Sequence, residues 1–425
     1  MARAQHGTVD GDARDVRQPG CFDDFHCIGA DCEDTCCAGW GVPVDRETYE
    51  KYLNLSDHQI SGRPLNSLVQ INPSSTSDSD YAKLCLNDAT CPILQGNLCG
   101  VQQTLGEAYL PDLCSKYPRI LNVIGGTVER SLDLSCPEAA RLVLGDPDSM
   151  VFQERVEERL PYRAGALNFI ASDPEHQLHQ VRAVLIGLIK DRSVPLWQRI
   201  VSLGGAVDRI ADVDTAEAAA VLKGHMSHET LPVPRPDSVF QLETMLELIV
   251  ARIGSDYTSP RFLACYRDFM VGLDWTPESS MEELAARYDR SSERYFLRFV
   301  KRHEHFFENF LISYMFRTVF PYRSKLAGRK FAIDCSTESM KHSFVLLVVH
   351  YAIIRTVLIG MAALHKDNLS MQHAVMLVQS YSKAFLHSTA FEASAVEYLN
   401  KTIGDPMRKV AELILSAHDL PVTAL

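Results

Sequence analysis

Two kinds of patterning divide the chain. From Cys21 to about Gly145, apolar residues come in short runs broken by turn residues, and no helical period is sustained. From Pro137 onward they recur at three- and four-residue intervals over long stretches punctuated by Pro, Gly and Asp, the mark of packed helices. These stretches predict helices near 138–144, 151–171, 175–191, 195–212, 214–224, 237–254, 259–272, 279–320, 338–364, 369–389 and 391–417. No fixed-period repeat links them, so a solenoid is not indicated. In the first part, residues 45–53 (DRETYEKYL) read as a short helix. Residues 61–80 end in a Ser- and Asp-rich stretch expected to be a mobile surface loop. The clearest β signal lies in residues 119–134, where two extended runs flank Gly125-Gly126. That pair supplies the positive φ angles a tight hairpin needs. The hairpin would carry Cys136 towards the segment before Arg119, including Cys114.

The expected architecture is therefore mainly α. A small irregular Cys-rich module with a β-hairpin, residues 21–145, precedes a large all-helical domain, residues 146–425. Residues 1–20 have no apolar h-region and read as a disordered leader rather than a secretory signal, which points to a cytoplasmic protein. The most apolar stretch, residues 343–364, approaches membrane-spanning length. It carries His350 and Arg355 near its middle, so a buried core helix is the better reading than a membrane span.

Composition changes the picture in two ways. The 425 residues are 46% hydrophobic and 23% charged, an ordinary globular balance with ample material for a core. The formal net charge of −12 argues against a protein built to hold nucleic acid, which usually shows a basic excess. It is compatible with a basic, lysine-bearing target.

The cysteines carry the candidate chemistry. Ten of the twelve lie at or before Cys136. Cys265 and Cys335 stand apart and read as core residues. Cys21 and Cys85 flank the cluster as weaker candidates. The other eight are Cys27, Cys32, Cys36, Cys37, Cys91, Cys99, Cys114 and Cys136. Without a secretory signal, clustered thiols point to metal rather than to disulfides. Thiolates are soft ligands that select zinc, copper(I) or iron–sulfur clusters. The spacing C-x4-C-x3-C-C lacks the paired C-x2-C knuckles and the His arm of common zinc modules. It also differs from the C-x3-C-x2-C of radical enzymes. The adjacent Cys36 and Cys37 point in different directions and suit two irons, or separate roles, better than one tetrahedral ion. A [4Fe–4S] site is plausible, with structural zinc as the alternative metal. Eight thiols suffice for two centres, or for one centre with packing cysteines to spare.

At this point the chain resembles a known family. Residues 27–40, with Val44-Asp45 and residues 48–52 (TYEKY), resemble the start of the flagellin lysine N-methylases. The likeness continues through Cys91-Pro92-Ile93-Leu94, Leu98-Cys99, Leu105-Gly106, Tyr109-Leu110 and Cys114, then Tyr117-Pro118-Arg119, residues 129–132 and residues 135–141. In the helical half it takes in Phe307-Glu308-Asn309-Phe310-Leu311, Phe316-Arg317-Thr318 and Phe320-Pro321-Tyr322. The first half is also similar to CxxCxxCC metal-chelating domains, although its spacing is longer. The resemblance implies methyl transfer from S-adenosylmethionine to surface lysines of flagellin, with a [4Fe–4S] cluster as part of the activity. No glycine-rich strand-to-helix loop of the Rossmann type is present. Gly204-Gly205-Ala206 lies inside a helical pattern, so cofactor binding would be unconventional or would involve the cluster itself.

Methylating a lysine requires its neutral amine, and the reference pKa of about 10.4 demands desolvation or a base. Candidates near the thiols are Tyr117 and Glu129, with Glu33, Asp34 and Glu138 behind them. A packing phenol or a surface carboxylate is the plainer role for each. Trp40 more often covers a cluster or fills core than contacts substrate. Arg119 and Arg130, on opposite arms of the hairpin, are candidates to hold the methionine carboxylate, against a plain salt bridge to a nearby acid. His303, Glu304 and His305 do not form a second metal site if helical, because i and i+2 face different ways. His373 and His387 read as helix interiors. Two classes of function stay open: a cluster-dependent protein lysine methyltransferase, and a non-catalytic zinc- or iron-binding protein with a helical interaction domain. The size of the helical half favours the enzyme.

Overall fold

The Gly125-Gly126 pair turns the chain as its composition dictates. In the computed structural model, strands Arg119–Ile124 and Thr127–Leu132 pair antiparallel across it. Both glycines take positive φ, +57° and +91°, as a two-residue turn requires. The structure describes residues 13–416, apart from 40, 56, 76, 88–89, 97, 161–166, 172–176, 224–235, 255–258, 328–329 and 404–405.

The hairpin forms the middle of a five-stranded sheet. From edge to edge the strands are Phe152–Glu157, Arg14–Pro19, Thr127–Leu132, Arg119–Ile124 and Asn168–Ala171. Arg14–Pro19 runs parallel to Thr127–Leu132, and Asn168–Ala171 runs parallel to Arg119–Ile124; the remaining pairs are antiparallel. Two expectations fail here. Residues 14–19, read as leader, are an interior strand, and residues 151–171, read as a helix, contain two strands. The charged run FQERVE has strong helix formers, but its charges find partners in and beside the sheet. Arg130 donates to Glu157 at 2.8 Å, Arg155 to Glu157 at 2.7 Å, and Arg155 to Asp23 at 2.8 Å. Val16 and Gln18 point into the core at 1% and 0% exposure. Cross-strand partners outweighed local propensity.

The chain divides into two compact units. One comprises Met1–Ala139, Val151–Ser172 and Lys325–Ala332; the other comprises Ala140–Met150, Asp173–Ser324 and Ile333–Leu425. The expected boundary at residue 145 is therefore displaced, because the two strands after it join the sheet. In the first unit, Arg46–Leu53 is a helix capped by Asp45, as read. Residues 72–80 are tighter than the loop expected there. The Asn72 side chain donates to the Asp80 backbone at 3.2 Å and to its carboxylate at 2.8 Å, and Asp78–Asp80 forms a helical turn.

The second unit is helical, and the fold as a whole is mainly α. The helix Thr337–His365 runs through its centre and is buried from Ser343 to Ala362. Around it pack Leu196–Ala211, Ser238–Ile253, Pro260–Gly272, Met281–Ser291, His305–Arg317, Met371–Phe385, Thr389–Ile403 and Pro406–Ile414. This apolar helix is long enough to cross a membrane, and its most apolar window is entirely buried within the protein. The single helix expected over 279–320 is instead interrupted. A π-turn occupies Ser292–Phe296, and the chain breaks at His303, with φ −134° and ψ 49°. No Gly or Pro marks the break. Phe299 before it and Phe306 and Phe307 after it are all buried, so packing sets the bend. The i, i+2 argument against His303 and His305 therefore does not apply. His373 lies in the first turn of its helix and caps Ser370, while His387 is exposed beyond the end of that helix. Residues 391–417 hold two helices, Thr389–Ile403 and Pro406–Ile414, since Pro406 starts a helix but cannot sit inside one.

Two sites of the resemblance motif explain themselves here. Glu308 is buried and accepts from Arg199 at 2.6 Å and from Arg192 at 2.9 Å. Asn309 donates to the backbone carbonyls of Val143 and Asp146 at 3.0 and 2.8 Å, tying its helix to the turn after Pro137–Gly145.

Candidate metal centre

The eight clustered thiols arrive from separate local structures in the first unit. Cys27 to Cys37 lie on a loop whose turn, Gly29–Asp31, is made possible by Gly29 at φ +57°. Along it the Cys32 thiol donates to the Asp34 carbonyl at 3.2 Å, and the Cys37 amide donates to Thr35 Oγ1 at 3.1 Å. Cys91 is drawn in by its own amide, which donates to the Cys37 carbonyl at 2.8 Å. Cys99 ends the small hairpin Leu94–Gln95/Leu98–Cys99. Cys114 sits on the short helix Asp112–Lys116. Asp45 fixes that helix: one carboxylate oxygen caps its own helix at Thr48 N–H, 2.9 Å, and the other accepts from Asp112 N–H at 3.0 Å. By local pattern Asp45 marks the start of a helix. Its second role depends on a contact 67 residues away, which no local pattern announces.

Packing separates the thiols into two groups. Cys91 belongs to the buried core of this module, and Cys37, Cys99 and Cys114 pack against that same core. Each of these four lies within electrostatic reach of the other three. Cys27, Cys32, Cys36 and Cys136 lie outside that core. Cys32 is influenced by Cys36 and Cys27, and Cys136 by Cys32 and Cys36. Cys36 touches both groups, since it hydrogen-bonds Cys37 and also acts on Cys99 and Cys114.

The thiolate form is disfavoured at Cys32, Cys37, Cys99, Cys114 and Cys136. Cys37 accepts from Cys36, which lowers its pKa, but donates to Cys91 and is buried; the net effect pushes it up to about 12. Cys91 is held below its ordinary value by that hydrogen bond. Burial pushes up Cys32 and Cys99, and raises Cys114 strongly. Burial also pushes Cys136 up to about 12, although the backbone N–H groups of Ala139 and Glu138 oppose it. Soft thiol donors gathered in one module fit a thiophilic metal by their chemistry. Among the described residues, no three His, Cys, Asp or Glu side chains are arranged to hold one ion, so closing a centre would require thiols to rotate. None of the twelve cysteines is in a disulfide. Cys265 is fully buried in the helical unit, Cys335 is half-buried, Cys21 is in core, and Cys85 is half-buried.

The remaining candidates are engaged in structure. The Tyr117 hydroxyl meets Ser135 Oγ at 2.9 Å, and Ser135 donates to Asp133 at 2.7 Å. Burial raises the Tyr117 phenol well above its usual value, and Cys136 and Cys36 lie within its electrostatic reach. Glu129 is 1% exposed in the middle of the sheet, opposite Asn122 on one side and Arg17 on the other. Arg119 stacks on Phe25 at 4.8 Å and donates to the Phe25 carbonyl at 3.3 Å. Arg130 is buried in its ion pair with Glu157 and also donates to Gln18 at 3.2 Å. Glu33 acts on Cys32, and the Asp34 backbone accepts from it. Trp40 lies outside the described residues. Gly204 faces Phe344 inside the helix Leu196–Ala211; a Cβ there would meet the ring at 2.6 Å.

Comparison with known proteins places the chain. Over 246 residues, 55% of its length, it is 29% identical to a protein named Lysine-N-methylase from Salmonella typhimurium (strain LT2) and to one of the same name from Salmonella choleraesuis. Those matches span 60% of each relative's length. Over 143 residues it is 34% identical to the Flagellar biosynthetic protein FliU of Salmonella muenchen, covering 33% of this chain and 83% of that protein. No solved structure matches the chain significantly. Residues 182–413, more than half of the chain, match the family described as FliB lysine N-methylase C-terminal domain. The chain belongs to the FliB lysine N-methylase family.

Proposed function

We propose that this chain is a cytoplasmic protein lysine N-methyltransferase that uses S-adenosylmethionine to modify surface lysines of flagellin, and that its clustered thiols hold a [4Fe–4S] centre. Family membership and the names of the relatives support the methyl transfer and the flagellar substrate. The observation that carries the metal reading is the convergence of Cys37, Cys91, Cys99 and Cys114 on one core, with a second group of four thiols beside it. Four cysteines are the complement of one such cluster.

S-adenosylmethionine, when bound, supplies a methyl group activated by its sulfonium. The chain's own task is to present a lysine amine without its proton. The Tyr117–Ser135–Asp133 chain is the buried hydrogen-bonded network beside the thiols, and it is the first place to look for a proton acceptor. The bound cofactor would give up its methyl carbon to the amine nitrogen and keep the electrons of the broken carbon–sulfur bond on its sulfur, and the proton released by the amine would pass to the Tyr117–Ser135–Asp133 chain.

The test is protein purified without oxygen, analysed for iron and sulfide and then incubated with flagellin and isotopically labelled S-adenosylmethionine. About four irons and four sulfides per centre, with label on flagellin lysines, support the reading. Zinc without sulfide, and no label transferred, would instead fit a non-catalytic metal-binding protein with a helical interaction domain.

A further inference from the structure

The inner thiols Cys37, Cys91, Cys99 and Cys114 come from segments that local structure does not join. The helix that carries Cys114, Asp112–Lys116, has five residues, and Pro111 at its N-cap offers no side-chain acceptor. A helix this short is not stable on its own in water. It is held from outside, by the helix Arg46–Leu53 and its cap. The Tyr52 hydroxyl donates to the Tyr109 carbonyl at 2.8 Å, and Lys51 Nζ donates to the Ala108 carbonyl at 3.2 Å. Those two bonds secure the approach to the short helix. Asp45 reaches the helix itself.

The Asp45 carboxylate is buried, and both of its oxygens are used. Oδ1 accepts from Thr48 N–H at 2.9 Å, and Oδ2 accepts from Asp112 N–H at 3.0 Å. The first bond is an ordinary N-cap, which Asn or Ser serves about as well. The second needs another acceptor on the same short side chain, which a carboxylate has and a carboxamide lacks. The charge of Asp45 works in the opposite direction: it lies within reach of Cys114 and disfavours a thiolate there. For a centre built on thiolates, what Asp45 contributes is therefore position and not charge. We propose that Asp45 is a positioning residue of the thiol centre: its second carboxylate oxygen seats the helix Asp112–Lys116 so that Cys114 completes the group with Cys37, Cys91 and Cys99. What the thiols bind rests on the metal reading above; the seating of Cys114 is a property of the chain itself, with or without metal.

The test compares Asp45→Asn and Asp45→Ser with the wild type, each as the full chain. Both variants keep an acceptor for Thr48, so their far-UV circular dichroism should match the wild type, which guards against misfolding. Asn turns its N–H2 group towards Asp112 N–H, and Ser is too short to reach it. In metal-free protein, alkylation by iodoacetamide is followed at each cysteine by peptide mass spectrometry. Cys114 should react at least about tenfold faster in both variants, the effect of losing one hydrogen bond to a charged group. The exposed Cys27 should react as in the wild type. Cys114 as well protected in the variants as in the wild type would overturn the proposal, whatever the metal. In protein purified without oxygen, both variants should release iron to a chelator at least about tenfold faster than the wild type. Charge alone predicts the reverse, since losing a negative charge favours thiolates. Iron held as firmly as in the wild type, or more firmly, would thus overturn the proposal. A wild type that binds no iron would overturn the metal reading, and the alkylation rates would still decide the seating of Cys114.

Discussion

Glu308 offers the sharpest test of how the helical unit is held together. Its side chain is 6% exposed, as is characteristic of buried ions, and Arg199 beside it is 8% exposed. Their 2.6 Å contact is therefore a buried pair, while Arg192 on the other side is 48% exposed. Glu308→Ala leaves the Arg199 guanidinium in the core with only the Ile189 carbonyl, at 2.7 Å, as a described partner. Removing one member of a buried pair costs about 3–5 kcal/mol, and losing the half-exposed Arg192 contact adds at most about 1 kcal/mol. For a unit of this size that is a fall in Tm of roughly 6–24 °C. Asp208→Ala breaks an exposed pair with Lys341 and should cost less than about 1 kcal/mol. The assay is urea and thermal unfolding followed by far-UV circular dichroism, which reports chiefly on the helices. Arg199→Met with Glu308→Leu should recover much of the loss, because an apolar pair of similar volume needs no compensating charge. If Glu308→Ala cost no more than Asp208→Ala, or the double variant were worse than the single, the buried-charge account would be wrong.

Other outcomes follow from the same geometry. Cys114→Ser, in the module's core, should remove about half or more of the bound iron, given four thiols per centre, while Cys27→Ser on the exposed loop should retain more; the reverse order in iron analysis would refute the grouping of the thiols. His350 is pulled down to about 3 by burial, with Arg317 and Arg323 adding to the effect. The folded state keeps it neutral, whereas the unfolded chain takes up a proton below about pH 6.5, so stability falls as pH drops through this window, by about 2 kcal/mol at pH 5. His350→Asn should flatten that fall when urea midpoints at pH 7 and pH 5 are compared; an unchanged slope would show that the residue does not contribute. A Cβ on Gly272 would lie 2.0 Å from the Gly360 carbonyl, and one on Gly360 would lie 2.2 Å from Phe269. Either Gly→Ala change should cost about 1–3 kcal/mol or more by overpacking. Gly187→Ala, which meets nothing within 4 Å, should instead stabilise its helix by about 0.5–1 kcal/mol in thermal melts.

Much of this protein was legible in the chain itself, because the relevant signals are local. Periodic apolar residues placed most of the helices of the second unit. Gly125-Gly126 fixed the hairpin through positive φ, and clustered thiols marked the candidate centre. What stayed hidden depends on partners far away in sequence. Residues 14–19 and 152–157 carry charged sequences and became strands because 14–19 pairs with a strand on each side and Glu157 meets Arg130 from across the sheet. The bend at His303 has no Gly or Pro and comes from the burial of Phe299, Phe306 and Phe307. The sequence alone determined which residue types were available: eight soft donors in one half and an apolar helical core in the other. Only the tertiary structure decided which thiols share a core and which charges pair in the helical unit, since those choices are made by loop closure and packing between segments that no local pattern connects.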